Sequence, residues 1–341
     1  MSKDLKVVIW GFGAMGQGIT ETLLKREGVC IEAVCDTAVD FKGKTLADVD
    51  GVFSDYGNII IDDDIDSVLN RPGDVVFIAT DSYTKASFPK IKKAIEYGYN
   101  VISTAEEMAY PWANEPEIAR EIDRLAQEHG VSVLGTGVNP GFVMDFLAIA
   151  LTGAMTEVQS IEIERVNSLS PFGPTVMEEQ GVGLNTDAFE KKLEQGQLAG
   201  HVGFRESVFM ISDALDLGVD KFEQQMKPII TNVDRKSRYG EAKKGQVAGI
   251  NMTAQGFVGD EKIIDMKHPQ QIEPQEEGIK TGDYIKIKGN PDIDLAIKPE
   301  IDGGAGTIAT CANMLPQVVH AAPGLRSMID LPIPRVHKKV M

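Results

Sequence analysis

The chain has 341 residues, beyond the size that one hydrophobic core usually serves, so two domains are expected, each able to bury a core of its own. Hydrophobic residues at 43% and charged residues at 25% are ordinary globular values and argue against intrinsic disorder. Lys and Arg number 34 against 51 Asp and Glu, for a formal charge of -17, and no basic cluster appears, which argues against nucleic acid and anionic membrane surfaces as partners.

The first residues, "MSKDLKVVIWG", pass into a strand without the apolar region of a secretory signal. The longest helical apolar stretch, "GFVMDFLAIALTGAM", is shorter than a bilayer span and carries Asp145. A soluble, unexported, cytoplasmic protein is expected. Cys30, Cys35 and Cys311 show neither a CxxC nor a metal-ligand spacing, as suits reduced thiols in that compartment. Strands apolar on both faces are predicted at 6–11, 31–36, 74–80, 100–104 and 131–137, with helical patterns at 15–27, 82–98 and 115–130. Such alternation needs crossover connections and a parallel sheet covered by helices, hence a doubly wound α/β domain over 1–140. Asn139 as N-cap and Pro140 at the first helical position predict a helix beginning directly after the fifth strand. Beyond it come a strand candidate at 160–169, helical stretches around 176–196 and 205–217, and strand candidates at 227–234, 246–259, 262–269, 283–289 and 292–299. Strands following strands over short turns predict the antiparallel sheet of an α+β domain across 141–300. Residues 301–341 return to helix, end in a Pro-punctuated tail and are expected to pack back on the first domain.

"VVIWGFGAMGQG" sets Gly11, Gly13 and Gly16 in GxGxxG register after a strand and before a helix, with Phe12, Ala14 and Met15 filling the loop. A lone GxGxxG is weak evidence, but here Asp36 closes the next strand, 20 residues beyond Gly16, with Thr37 beside it. A carboxylate there accepts hydrogen bonds from adenosine ribose hydroxyls, the fingerprint of a Rossmann-type dinucleotide domain. Gly11 would make the tight turn, Gly13 would let the backbone approach the pyrophosphate, and Gly16 would allow close helix packing, with the phosphates at a helix N-terminus. Asp36 repels the 2′-phosphate of NADP, so NAD is the expected cofactor; NADP stays open because Lys42 and Lys44 lie nearby. Ala79, Thr80 and Ser82 close one strand and Thr104 another, at the carboxyl edge where doubly wound sheets hold ligands. Asp81 or Ser82 could equally cap the helix that follows.

The strand "NVIST" runs into Glu106 and Glu107. Adjacent positions in an extended chain point to opposite sides, so the two carboxylates are expected to do different jobs. One of them, partly desolvated beside a nicotinamide face, would have a raised pKa suited to taking a proton from an ammonium or activating water. The alternative is that both charge the first turn of the next helix. In "LGTGVNPGF", Gly135, Gly137 and Gly141 would let a backbone approach a ligand, and the N–H groups after Asn139 would face an anion; the alternative is a capped crossover helix alone. His201, in "AGHVGFRES", either contacts substrate or is structural. His129, His268, His320 and His337 show no metal-site spacing, so no metal is expected.

Together "GFGAMG", "ISTAEEMAYP", "GTGVNPGF" and "GHVGFRES" resemble the 2,4-diaminopentanoate dehydrogenase family of the dihydrodipicolinate-reductase-like superfamily, whose relatives include native amine dehydrogenases. The resemblance runs nearly the full length; its first motif is generic and the last three are more specific. It implies a Rossmann domain joined to an α+β substrate and oligomerisation domain, a homodimer or larger, and NAD(P)-dependent oxidative deamination at C4 of 2,4-diaminopentanoate, in ornithine fermentation. Dihydrodipicolinate reductase uses a paired-histidine motif, and no His-His occurs here. Homoserine dehydrogenase carries "VVTANK", and laying it on "VISTAE" puts its lysine on Glu106. That alignment makes Glu106 the implied base. Asn139, Pro140, Phe142, Arg165, Asn167 and His201 are the implied substrate contacts, although strand alternation could instead turn Arg165 to solvent. Two other readings remain open: a related dehydrogenase for another amine or amino acid, and a non-catalytic NAD-binding sensor, which the two strand-end motifs disfavour.

Overall fold

In the computed structural model, which describes residues 4–340, the predicted alternation forms β1 (Leu5–Trp10), β2 (Val29–Cys35), β3 (Ile61–Asp62), β4 (Val75–Ile78), β5 (Asn100–Ser103) and β6 (Ser132–Gly135). Between them lie α1 (Ala14–Leu24), α2 (Leu46–Val49), α3 (Ile65–Leu69), α4 (Thr84–Glu96) and α5 (Pro116–His129). Every residue of β4 and β6 is buried, as strands covered on both faces must be. α5 buries Ala119, Ile122, Leu125 and Ala126 along one stripe and stops at Gly130, whose φ of 71° no branched residue adopts readily.

Val143–Ile301 forms a second unit. It contains α6 (Phe146–Thr152), β7 (Glu157–Ser168), α7 (Pro174–Glu179), α8 (Thr186–Glu194) and α9 (Phe204–Ala214). β8 (Lys221–Ile230), β9 (Arg235–Lys236), β10 (Glu241–Ala242), β11 (Val247–Val258), β12 (Glu261–Gln271), β13 (Gly282–Asn290) and β14 (Ile293–Ile297) follow. Six strands pair in the order β14-β13-β7-β12-β11-β8, and β9 and β10 form a separate ribbon. The sheet expected to be antiparallel is mixed: β7 and β12 run parallel, and the other neighbours are antiparallel. Short turns dictate direction only for hairpins such as β11–β12, whereas β7 reaches β12 through a long crossover.

The chain re-enters the first unit at Asp302. There α10 (Gly303–Val319) packs on α1, where a Cβ on Gly18 would sit 2.2 Å from Ile308 Cδ1. β15 (Gly324–Arg326) then joins β6, completing a parallel sheet in the order β15-β6-β5-β4-β1-β2-β3. β3 and β15 escape sequence reading because two or three residues carry no period. Among the described residues no helix is long and apolar enough to cross a membrane, and no group of three His, Cys, Asp or Glu side chains could hold a metal ion.

Candidate active site

The carboxyl edge of the seven-stranded sheet gathers most of the residues expected to meet a cofactor. Gly11 has φ 98°, and a Cβ there would lie 2.6 Å from Ala79 O and 2.7 Å from Thr80 Cγ2, so the loop presses against the end of β4. A Cβ on Gly16 would fall 1.9 Å from Gly11 O. Around Gly13, by contrast, nothing lies within 4 Å, so its missing side chain leaves open space. The Phe12 side chain is buried against Phe41 and Phe53, and its N–H donates to Asp36 Oδ2 at 2.6 Å. Asp36 Oδ1 accepts from Ala38 N, so this carboxylate shapes both the glycine loop and the end of β2, leaving Thr37 exposed beside it. Ala14, Met15 and Gly16 open α1, where first-turn N–H groups have no intrahelical acceptor.

Glu106 and Glu107 do not continue the strand. β5 ends at Ser103, and both glutamates open a 3₁₀ turn, Glu106–Ala109, so strand alternation does not separate them. Their roles diverge through packing. Glu107 Oε2 accepts from Thr84 N at 2.8 Å and its own N–H donates to Ser82 O, so Glu107 caps α4 from 23 positions away. Neither Asp81 nor Ser82 caps that helix; Asp81 pairs with Lys90 and accepts from Thr80 Oγ1. Glu106 is half-buried next to Thr104, whose N–H donates to Ile78 O. A Cβ on Gly135 would meet the Met108 backbone at 2.2 Å, so that glycine admits the glutamate turn itself.

The helix expected at Asn139 and Pro140 begins later, at Phe146. Gly141 has φ 120°, which no helix allows, and Asp145 is the N-cap, accepting from Phe146 N and from Ser207 Oγ. Asn139, buried Pro140 and half-buried Phe142 therefore lie in a turn after β6, without a helix N-terminus to offer an anion. Val138 N donates to Thr307 Oγ1 of α10, fixing the turn within its own unit.

The second unit buries a polar face on its sheet. Arg165 and Asn167 lie two apart on β7, and His268 and Gln270 two apart on β12. Arg165 is 2% exposed, not turned to solvent, and is held by Asp283 and by Ile301 O. His268 Nε2 lies 3.1 Å from Asn167 Oδ1, and the His201 ring sits 4.9 Å from that of His268 and 5.2 Å from Phe204. His201 Nε2 and Gln270 Nε2 are buried without a hydrogen-bond partner among the described residues. Sequence reading missed His268 and Gln270; the shared pattern of polar residues at i and i+2, in "RVN" and "HPQ", was their signal.

Burial, and then the charge of Arg165, pushes His201 down to about 3; burial, His201 and Arg165 push His268 well below the usual range. A histidine held neutral in the fold contributes fully above the unfolded value of about 6.5 and loses that contribution as pH falls toward its folded value. Between pH 6.5 and 5, His201 alone is expected to cost about 2 kcal/mol of stability. Urea midpoints from pH 8 to 5 measure the fall, which His201→Gln should reduce to the share left by His268; an equal fall in the variant would refute a neutral His201.

Residues 142–341 match the family described as the 2,4-diaminopentanoate dehydrogenase C-terminal domain. The chain is 52% identical over 334 residues to 2,4-diaminopentanoate dehydrogenase of Acetoanaerobium sticklandii, covering 98% of this chain and 95% of the relative. It is 25% identical over 351 residues to an amine dehydrogenase of Streptomyces virginiae, covering 96% of each. The solved amine dehydrogenase from Mycobacterium smegmatis shares the fold at a TM-score of 0.86 and 23% identity, over 99% of this chain and 98% of that one. With more than half of its length matched to one family and nearly all of it 52% identical to a relative of that name, the chain belongs to the 2,4-diaminopentanoate dehydrogenase family of oxidoreductases.

Proposed function

We propose that this dehydrogenase oxidises 2,4-diaminopentanoate at C4, giving 2-amino-4-oxopentanoate and ammonia, with NAD as its preferred nicotinamide cofactor. What supports the reading is one edge of the seven-stranded sheet, where the Glu106 turn, the ends of β4 and β5 and the glycine loop follow one another in contact. The residues fit a dinucleotide. Gly13 leaves open space, the first turn of α1 offers N–H groups to the pyrophosphate, and Asp36 offers carboxylate lone pairs to the ribose. Gly11, Phe12, Ala14, Met15, Gly16 and Thr37 shape that half; Ala79, Thr80, Ser82 and Thr104 serve the nicotinamide half.

When bound, the cofactor supplies the acceptor for the hydride that leaves C4. Glu106 takes a proton from the C4 ammonium, freeing the nitrogen lone pair that stabilises the carbon as hydride departs. Once it has released that proton to solvent, the same carboxylate takes one from the water that adds to that carbon and returns it to the nitrogen, so that the C–N bond breaks, ammonia leaves and the new hydroxyl gives up its proton to form the ketone. Asn139, Pro140, Phe142, Asn167 and His201 stay the proposed substrate contacts, while Arg165, held by Asp283, is proposed to position its neighbours on β7.

The preference for NAD rests on negative charge. Burial, then Asp62, Asp36, Asp64 and Asp63, push the Cys35 thiol up to about 12, a sign of four carboxylates around the ends of β2 and β3. Lys42 is tied to Asp63 at 2.9 Å. A 2′-phosphate here would meet repulsion of about 1.4 kcal/mol, or roughly tenfold in kcat/KM. The same reading makes the enzyme a cytoplasmic homodimer or larger.

The test is NAD- and NADP-linked deamination of 2,4-diaminopentanoate, with ornithine and simple amines as controls. Turnover of the diamino acid with NAD favoured is expected. A higher kcat/KM on a simple amine would favour a related amine dehydrogenase, and NADH binding without turnover of any substrate would leave only a sensor.

A further inference from the structure

The carboxyl-terminal part of the first unit holds a cavity of about 400 Å³ that the deamination chemistry does not use. It opens between the last turn of α10 and the tail, and its walls include Gln317, His320, Arg326, Asp330, Arg335 and His337. In a chain with a formal charge of -17, four of these six side chains are guanidinium or imidazole.

The one carboxylate of these walls, Asp330, keeps its charge but is held by Ser327, and two carbonyls at the end of α10 already have partners. Asp330 Oδ2 accepts from Ser327 N at 2.8 Å and from Ser327 Oγ at 2.7 Å. At the end of α10, Pro316 O lies 2.7 Å from His320 Nδ1, and Val318 O accepts from Ser132 Oγ. Arg326 donates to Ala322 O and Pro323 O, which fixes its guanidinium at the wall. Arg335 is exposed and has no ion pair among the described residues. Burial lowers the His337 pKa most, and the charges of Arg335 and Arg26 lower it further.

Two polar atoms of these walls, His337 Nε2 and Gln317 Oε1, are buried without a hydrogen-bond partner among the described residues. The guanidiniums call for oxygens bearing negative charge, and Gln317 Oε1 is an acceptor that calls for a hydroxyl. We propose that this cavity binds a small oxyanion that also carries a hydroxyl, a phosphate or a hydroxycarboxylate, gripped by Arg326 and Arg335. Partial enclosure strengthens such contacts over those of an open surface, because fewer waters compete for the charge.

The test is calorimetric titration of the full-length enzyme with inorganic phosphate and, separately, with citrate, with NAD present so that the glycine loop does not compete. Saturable binding of at least one is expected. Affinity should fall about tenfold in Arg335→Ala, by loss of one charge-assisted hydrogen bond, and disappear in Arg335→Glu. Both variants should keep the wild-type melting temperature and kcat/KM, since Arg335 is exposed and outside the deamination machinery. Phosphate binding alone assigns a phosphate ligand, citrate binding alone a carboxylate, and either supports the site. No saturable binding of either anion, or undiminished binding in Arg335→Glu, overturns it.

Discussion

Replacing Glu106 with Gln is expected to lower kcat on 2,4-diaminopentanoate by about 10²- to 10⁴-fold, with NADH affinity close to wild type. Glutamine has the shape of glutamate and keeps an amide oxygen that accepts hydrogen bonds, so the half-buried 3₁₀ turn should keep its form. What it loses is the proposed base, the group that would take a proton from the substrate ammonium or from the attacking water. The acid limb of the kcat/KM profile, where the carboxylate is protonated, should vanish with it. Glu107→Gln is the matched control: its amide oxygen can still accept from Thr84 N, so α4 keeps its cap and turnover should stay within a few-fold of wild type. Normal turnover in Glu106→Gln with a dead Glu107→Gln would move the base to the neighbouring residue.

The contrast between those two glutamates marks how far sequence reading reaches. The glycine loop was legible because its requirements are local. Gly11 must adopt φ 98°, Gly16 must clear Gly11 O, and both show as spacing along the chain. Preferring Glu106 to Glu107 as the proposed base rested on a family resemblance, since the contact that commits Glu107 to α4 comes from a segment 23 residues earlier. Asn139 and Pro140 satisfied every local rule for a helix start, yet Gly141 takes a φ of 120°, outside the helical region, and the helix starts instead behind Asp145, a second good cap residue. The parallel pairing of β7 with β12 and the burial of Arg165 are likewise long-range outcomes that no window of sequence contains.

Replacing Asp283 with Ala is expected to destabilise the second unit by about 3–5 kcal/mol, among the largest costs a single change can have. Asp283 and Arg165 face each other across β13 and β7, each 2% exposed. Asp283 Oδ2 also accepts from Ile301 N at 2.8 Å while Arg165 donates to Ile301 O, so the pair holds the last residue of the unit by both backbone groups. Burial raises the Asp283 pKa against the pull of Arg165, the direction expected where taking a carboxylate out of water is costly. The pair is therefore weak as a net stabiliser and costly to break, because a lone buried guanidinium has lost its compensation. The double variant Arg165→Met with Asp283→Leu should recover most of the loss in urea midpoint. A cost under about 1 kcal/mol for Asp283→Ala, or no recovery in the double variant, would refute the argument. Activity then separates two roles for Arg165, which lies two residues from Asn167 on the same strand. Stability restored without kcat/KM supports the proposed role of the guanidinium in positioning its β7 neighbours, whereas recovery of both leaves it a purely structural partner of Asp283.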